Sequence, residues 1–136
     1  MDSFAGFYPL DSDISVEPVN CNGVRAEWVA APESCDDRTV LYVHGGCYIS
    51  GSPAVVREFC ARLARAGKCR VLSIDYRLAP EHPFPAALED VLTAYRWLVQ
   101  SASSERISIA GESAGGGLTL AALLSLRDGS GPLPAC

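Results

Sequence analysis

Residues 107–126 read ISIAGESAGGGLTLAALLSL, and the fold can be worked out from this stretch outward. Its first four residues alternate as in a short strand, and the apolar run after the glycines is typical of a helix. Between them lies GESAG, residues 111–115, a G-x-S-x-G pattern at a strand-to-helix turn. Such a turn strains the serine backbone and presses the residues on either side together, so only small residues fit there. We therefore predict that Ser113 is a nucleophile on a tight turn flanked by Gly111 and Gly115.

A second motif lies upstream, at the end of another apolar strand pattern. Residues 39–43 read TVLYV, and His44, Gly45 and Gly46 follow them directly. Glycines at this position let backbone N–H groups approach a substrate oxygen without a side chain in the way. Alone, the G-x-S-x-G pattern fits a loop that merely caps a helix nearly as well as it fits a nucleophile. The two motifs in this order favour the nucleophile at Ser113.

The order of the remaining patterns indicates an α/β fold. Alternating residues at 14–19 and 24–30 flank Asn22-Gly23 and predict an antiparallel hairpin, with Pro18 on an edge strand. A polar loop over residues 31–38 follows. Strand and helix patterns then alternate: strands at 39–43, 70–75 and 106–110, and helices at 53–67, 86–99 and 114–127. This alternation predicts a mainly parallel sheet with helices on both faces.

Two expectations concern the end of the chain. The helix after Ser113 is apolar on nearly every side, which predicts that it is covered on most sides. Residues 128–136 are rich in glycine and proline and predict a loop.

The composition is that of a globular protein, with 49% hydrophobic and 20% charged residues. We expect one domain over residues 1–136, with an irregular lead-in over residues 1–12. The net charge is −5 and no basic patch occurs, so nucleic-acid binding is not indicated. No signal peptide or membrane span is recognisable, which predicts a cytoplasmic location. The six cysteines lack metal-ligand spacing, so we expect free thiols, no metal and no cofactor.

At this point a family resemblance can be stated. Three stretches carry it: YVHGG at residues 42–46, DYRLAPEHPFPAA at 75–87 and GESAGG at 111–116. With these motifs the chain resembles the hormone-sensitive-lipase-like esterases of the α/β-hydrolase fold. The resemblance implies a partial α/β-hydrolase sheet and a serine carboxylesterase or lipase-like hydrolase. Its substrates would be short-to-medium acyl esters, cleaved through an acyl-enzyme on Ser113.

The resemblance also implies roles for single residues. Ser113 is similar to the family's nucleophile, and the N–H groups of Gly45, Gly46 and Ala114 resemble its oxyanion hole. His44 is expected to hold the glycine loop in place, and Glu112 to support the turn at the serine. The stretch over residues 75–87 is expected to be scaffold that fixes a long loop beneath the site.

The sequence departs from the family pattern at Cys47, where the family usually has a third glycine. The cysteine either narrows the oxyanion hole or leaves it intact, since only backbone N–H groups are used there. Cys47 as an alternative nucleophile is disfavoured, because no base is evident near it. The segment ahead of His44 is also shorter than usual in the family, which predicts an incomplete lid over the substrate.

The larger departure lies downstream of Ser113, where the family has an aspartate and then a histidine. This chain has only Asp128 there, while its two histidines, His44 and His82, lie upstream. We therefore expect an N-terminal portion of a longer esterase, inactive by itself, with an exposed sheet edge that favours self-association. The alternatives are a non-catalytic, receptor-like ligand-binding protein and a truncated member of the same fold.

Overall fold

The structure, a computed structural model, describes residues 9–136. The strands are β1 (Ser15–Cys21), β2 (Val24–Ala30), β3 (Cys35–Val43), β4 (Cys69–Asp75) and β5 (Ile107–Gly111). The helices are α1 (Pro53–Gly67), α2 (Ala86–Leu98) and α3 (Ala114–Asp128), with a 3-10 turn at Ser104–Arg106. The strands form one sheet in the order β1-β2-β4-β3-β5. Strand β3 runs parallel to β4 and β5, whereas the β1–β2 and β2–β4 pairs are antiparallel.

The opening hairpin is confirmed. Asn22 and Gly23 link β1 to β2 with φ angles of 53° and 102°, both left-handed, as a two-residue hairpin turn requires. The Asn20 side-chain oxygen accepts a 2.7 Å hydrogen bond from the Gly23 N–H and closes the turn. β1 is the outer strand of the sheet, so Pro18 lies on an edge strand as expected.

Strand β3 begins earlier than the sequence predicts. The polar residues 35–38 were expected in a loop, but β3 starts at Cys35, which pairs with Cys69 of β4. The register then shifts before Thr39 pairs with Arg70, so the first part of β3 is irregular. All four residues from Cys35 to Arg38 are exposed, which explains why this part of the strand lacks an apolar sequence pattern.

Helices cover both faces of the sheet, as the order of the elements predicts. Residues of α2 and α3 pack with Leu41, Val43 and Leu72 in the larger apolar core. On the opposite face, α1 packs with Tyr42 and Val71. β3 thus lies inside the sheet, with a helical layer on either side of it.

The end of the chain departs from expectation in two respects. Helix α3 is not covered on most sides, because Leu120 and Leu124 on its outer face are 65% and 51% exposed. Helix α3 therefore has more apolar surface than the described residues cover. The Gly/Pro tail is loop, but its last residues lie along β5: the Ala135 N–H donates to Ile107 O, and the Ile109 N–H donates to Cys136 O. These bonds, of 2.8 and 2.9 Å, occupy part of the outer edge of the sheet.

Residues 1–8 of the expected lead-in lie outside the described residues, and residues 9–12 contain no helix or strand. All six cysteines are free thiols in the structure. They divide evenly into buried positions (Cys21, Cys60 and Cys69) and exposed positions (Cys35, Cys47 and Cys136).

Candidate active site

Ser113 is the second of the two residues between β5 and α3, directly before the helix. Its backbone has φ 53° and ψ −120°, a combination that L-residues rarely adopt outside functional turns. The residue is exposed, so the turn presents its side chain at the surface. The strained strand-to-helix turn expected from the sequence is therefore present at Ser113.

The flanking glycines are explained by contacts between backbone atoms. A Cβ atom at Gly111 would lie 2.5 Å from the carbonyl oxygen of Gly115. A Cβ atom at Gly115 would lie only 1.9 Å from the carbonyl oxygen of Val43, at the end of β3. Both distances are far below van der Waals contact, and no side chain can rotate away to relieve them. The small residues are thus required by close packing of three backbone segments.

The glycine loop after β3 lies directly beside the serine turn. β3 and β5 are parallel neighbours, and Val43 is the register partner of Gly111, so both strands end at the same level. A Cβ atom at Gly45 would lie 3.0 Å from the carbonyl oxygen of Glu112 and 2.8 Å from its Oε2 atom. The sheet itself therefore brings the two sequence motifs together.

Three backbone N–H groups near this junction are those of the expected oxyanion hole. Within residues 9–136, no turn, loop or cap hydrogen bond uses the N–H of Gly45, Gly46 or Ala114 as its donor. Ala114 is the first residue of α3, where the helix dipole adds partial positive charge. Gly46 has φ 125°, and a Cβ atom there would lie 2.0 Å from Ser50 O, so the loop requires glycine at this position.

His44 fixes the base of this loop. Its side chain is 1% exposed, and its Nδ1 donates a 2.7 Å hydrogen bond to the carbonyl oxygen of Gly45. The ring stacks on Tyr76 at 4.2 Å between centroids, and the Tyr76 hydroxyl donates to His44 O at 2.8 Å. Burial, followed by the nearby charge of Glu112, raises the pKa of the Tyr76 hydroxyl, which keeps it a donor. No local pattern indicates the contact between His44 and Tyr76, because the two residues lie 32 positions apart.

Cys47 and Tyr48 continue the loop in the left-handed region, with φ angles of 56° and 66°. The Tyr48 carbonyl oxygen accepts a 2.8 Å hydrogen bond from the Ala79 N–H. Its hydroxyl would lie 2.7 Å from a Cβ atom on Gly117, so the ring reaches the first turn of α3. Tyr48 therefore connects the glycine loop with two other parts of the site, a role that the sequence analysis missed.

The loop over residues 75–87 is held by charged groups, as expected of scaffold. The Asp90 carboxylate, whose residue is buried, accepts bonds from the Arg77 backbone N–H at 2.8 Å and from Arg77 Nη2 at 2.7 Å. Arg77 Nη2 also donates to Ala86 O at 3.3 Å. The start of this loop is thereby tied to helix α2.

An apolar cavity of about 430 Å³ opens next to the glycine loop. Its walls come from the Tyr48 loop, the loop over residues 75–87 and helix α3. They include Tyr48, Ile49, Phe84, Leu88 and Leu118, with His82 as one of the few polar lining residues. The arrangement offers an apolar surface close to the glycine loop that lies beside Ser113.

Hydrogen bonds to the Ser113 hydroxyl bear on how it could be activated. Among the described residues, no side chain is hydrogen-bonded to its hydroxyl oxygen. His44 is buried and already donates to Gly45, while His82 lines the cavity. Asp128 ends α3, about 21 Å along the helix axis from its start, and pairs with Arg127. In residues 9–136 no group of three or more metal-binding side chains is found, and no helix is long and apolar enough to cross a membrane.

Comparisons with known proteins agree with this geometry. Residues 40–136 of this chain match a protein family whose description is the alpha/beta hydrolase fold. An acetyl-hydrolase of Streptomyces hygroscopicus is 50% identical over 111 residues, which are 81% of this chain and 37% of that protein. Esterase LipI of Mycobacterium tuberculosis is 39% identical over 132 residues, 88% of this chain and 40% of the relative.

Solved structures show the same likeness. The crystal structure of an esterase from the bacterial hormone-sensitive lipase family matches with a TM-score of 0.93 and 52% identity. The match covers 96% of this chain and 44% of the other. The chain thus spans about two fifths of the length of these relatives.

Proposed function

Because this chain belongs to the alpha/beta-hydrolase fold family, among the hormone-sensitive-lipase-like esterases, we propose that it carries the nucleophile and oxyanion half of a serine carboxylesterase site. The observation that supports this most directly is the Ser113 backbone, held at φ 53° and ψ −120° beside the N–H groups of the expected oxyanion hole. A turn that only capped a helix would not need this strain. The esterase, lipase and acetyl-hydrolase names of the relatives point the same way.

In the proposed reaction, the Ser113 oxygen attacks the carbonyl carbon of an ester. The carbonyl oxygen becomes an oxyanion and accepts hydrogen bonds from the N–H groups of Gly45, Gly46 and Ala114. The alcohol then leaves, an acyl ester remains on Ser113, and water releases the acid. Each step needs a general base, and the described residues hold none against Ser113. We therefore propose that an aspartate and a histidine from outside these 136 residues complete the triad.

The remaining roles follow from the same contacts. His44 and Glu112 position the glycine loop and the serine turn without taking part in proton transfer. The apolar cavity next to Tyr48 is suited to the alkyl part of a short-to-medium acyl ester. Because the proposed hole uses only backbone N–H groups, we propose that the Cys47 side chain leaves it intact.

A chimera tests the proposal directly. Residues 40–136 of this chain replace the aligned segment of the Streptomyces hygroscopicus acetyl-hydrolase, whose remaining residues supply the missing half of the site. We expect the chimera to hydrolyse p-nitrophenyl acetate, and Ser113→Ala to reduce kcat/KM by at least about 10³-fold. Ser125→Ala, which alters an exposed serine on the same helix, is the matched control and should leave activity unchanged.

The outcomes separate the proposal from its alternative. Within residues 9–136 no side chain is hydrogen-bonded to the Ser113 hydroxyl, which favours a non-catalytic, receptor-like binding protein as the second candidate. A folded chimera that binds the ester without turnover would support that candidate. Activity that survives Ser113→Ala would contradict the assigned nucleophile.

Two further expectations from the sequence remain proposals. We propose that the 136-residue chain self-associates through the outer edge of β5, together with the exposed Leu120 and Leu124 on α3. A monomeric mass at micromolar concentration in size-exclusion chromatography with light scattering would contradict this. The cytoplasmic location likewise stays a prediction, which fluorescence microscopy of a tagged chain would test.

A further inference from the structure

Two cysteines that the esterase site does not use are register partners on neighbouring strands of the sheet. Cys35 opens β3 and Cys69 opens β4, and the two are register partners in a parallel pair. The Cys35 N–H donates a 3.0 Å hydrogen bond to the carbonyl oxygen of Lys68, which fixes this register. Register partners on neighbouring parallel strands point to the same face, and their Cα atoms lie about 4.8 Å apart. This spacing falls within the range of roughly 4.4–6.8 Å that a disulfide needs.

The two thiols differ in exposure in a way that suits a stepwise reaction. Cys35 is exposed, so a dissolved reagent can reach it. Cys69 is 5% exposed, and its sulfur lies 3.9 Å from the carbonyl oxygen of Leu63 in α1. Among residues 9–136, no other cysteine has a cysteine as its strand partner; Cys21, for example, pairs with Val24. The arrangement at the start of β3 and β4 is therefore specific to this pair.

We propose that Cys35 and Cys69 form a thiol-oxidation site, closed to a disulfide by low-molecular-weight disulfides such as oxidised glutathione. The Cys35 thiolate attacks one sulfur of the oxidant, whose S–S bond breaks and releases one glutathione thiolate. The Cys69 thiolate then attacks the Cys35 sulfur of the mixed disulfide and releases the second glutathione. Two protein thiols lose two electrons and two protons in total, and one oxidised glutathione becomes two reduced molecules.

The local charges set the order and speed of these steps. Burial raises the pKa of the Cys69 thiol, and the nearby positive charge of Arg38 only partly opposes this. The Cys69 thiolate is therefore the less populated form at neutral pH, and raising the pH increases its share. The exposed Cys35 accepts glutathione first, and closure to the disulfide becomes faster as the pH rises toward the pKa of Cys69.

The test uses the 136-residue chain under conditions where circular dichroism shows that it is folded. The chain is incubated with oxidised glutathione in mildly alkaline buffer, free thiols are alkylated, and the unreduced protein is digested and analysed by mass spectrometry. We expect a peptide pair joined between Cys35 and Cys69, two hydrogen atoms lighter than the sum of its parts. Neither Cys35 nor Cys69 should then carry the alkyl label.

Variants separate this pair from random oxidation. Cys35→Ser changes an exposed side chain, so it should fold, and we expect it to lose the cross-link completely. Cys136→Ser changes another exposed cysteine and should keep the cross-link between Cys35 and Cys69. A stable glutathione adduct on Cys35 with Cys69 still free would overturn the proposal. A disulfide from Cys69 to a different cysteine that forms with equal yield in Cys35→Ser and in the original chain would overturn it as well.

Discussion

The closest backbone approach in the candidate site gives the sharpest stability prediction. A Cβ atom at Gly115 would lie 1.9 Å from Val43 O and 2.7 Å from both His44 O and the Val43 carbonyl carbon. All three are backbone atoms, so Gly115→Ala forces β3 and α3 apart. Inserting a group into such packing typically costs about 1–3 kcal/mol, and we expect the upper part of this range here. The favourable helix propensity of alanine, up to about 1 kcal/mol, offsets part of it.

The net expectation for Gly115→Ala is a loss of about 2 kcal/mol in the free energy of unfolding. For a chain of this length, this corresponds to a melting temperature lower by roughly 7 °C. Urea unfolding followed by circular dichroism measures the free energy, and a thermal scan gives the temperature. In the chimera described above, the same substitution should also reduce esterase activity, because it displaces the carbonyl of Val43 and with it the glycine loop.

The next two glycines of α3 provide matched controls. A Cβ atom at Gly116 would meet only the carbonyl group of Gly111, with its oxygen at 3.3 Å. The free energy of unfolding of Gly116→Ala should therefore differ from that of the original chain by no more than about 1 kcal/mol. A Cβ atom at Gly117 would meet the Tyr48 hydroxyl at 2.7 Å, and this side chain can rotate away. Equal stability of Gly115→Ala and Gly116→Ala would refute the steric argument.

Three other predictions can be checked with the same unfolding assay. Cys47→Gly should keep or raise stability by up to about 1 kcal/mol, because φ 56° strains a non-glycine residue; a clear loss of stability would contradict this. Asp90→Asn should cost about 2 kcal/mol, since the buried carboxylate accepts charged hydrogen bonds from Arg77, whereas the exposed Glu89→Gln should cost under about 0.5 kcal/mol. Burial raises the pKa of the Cys60 thiol from 9.0 to about 12. The stability that this protonated thiol contributes to the fold is therefore complete below pH 9 and is lost as the pH rises toward 12. Cys60→Ala should therefore flatten the alkaline decline in stability, and an unchanged pH profile would count against this assignment.

Local sequence patterns were sufficient for the elements and for the position of the serine. Asn22-Gly23 predicted the hairpin, and the residues around Ser113 predicted the strained turn, because both signals depend on neighbours in the chain. The start of β3 at Cys35 was missed, since four consecutive exposed residues carry no apolar alternation. A pattern of burial cannot reveal a strand segment that is not buried.

Contacts between distant residues could not be predicted in the same way. Two hydrogen bonds depend on how strands and helices are arranged in space. One joins the Tyr76 hydroxyl to His44 O, and the other joins the Arg77 N–H to the Asp90 carboxylate. The expectation that α3 is covered was wrong for Leu120 and Leu124, because an apolar sequence indicates which surface tends to be buried but not whether the described residues supply a cover. Sequence patterns report the periodicity of neighbouring residues, whereas these hydrogen bonds and the cover of α3 depend on residues that are distant in the chain.

The contacts between glycines and carbonyl groups have a consequence for how such a site can diversify. The spacing between the glycine loop and the serine turn is set by main-chain atoms: Gly45 against Glu112 O, and Gly115 against Val43 O. Side chains that line the cavity, such as Phe84 and Leu88, take no part in this spacing. Substitutions in the cavity walls can therefore change which ligand the cavity accepts, while the backbone keeps the spacing between the glycine loop and the serine turn unchanged.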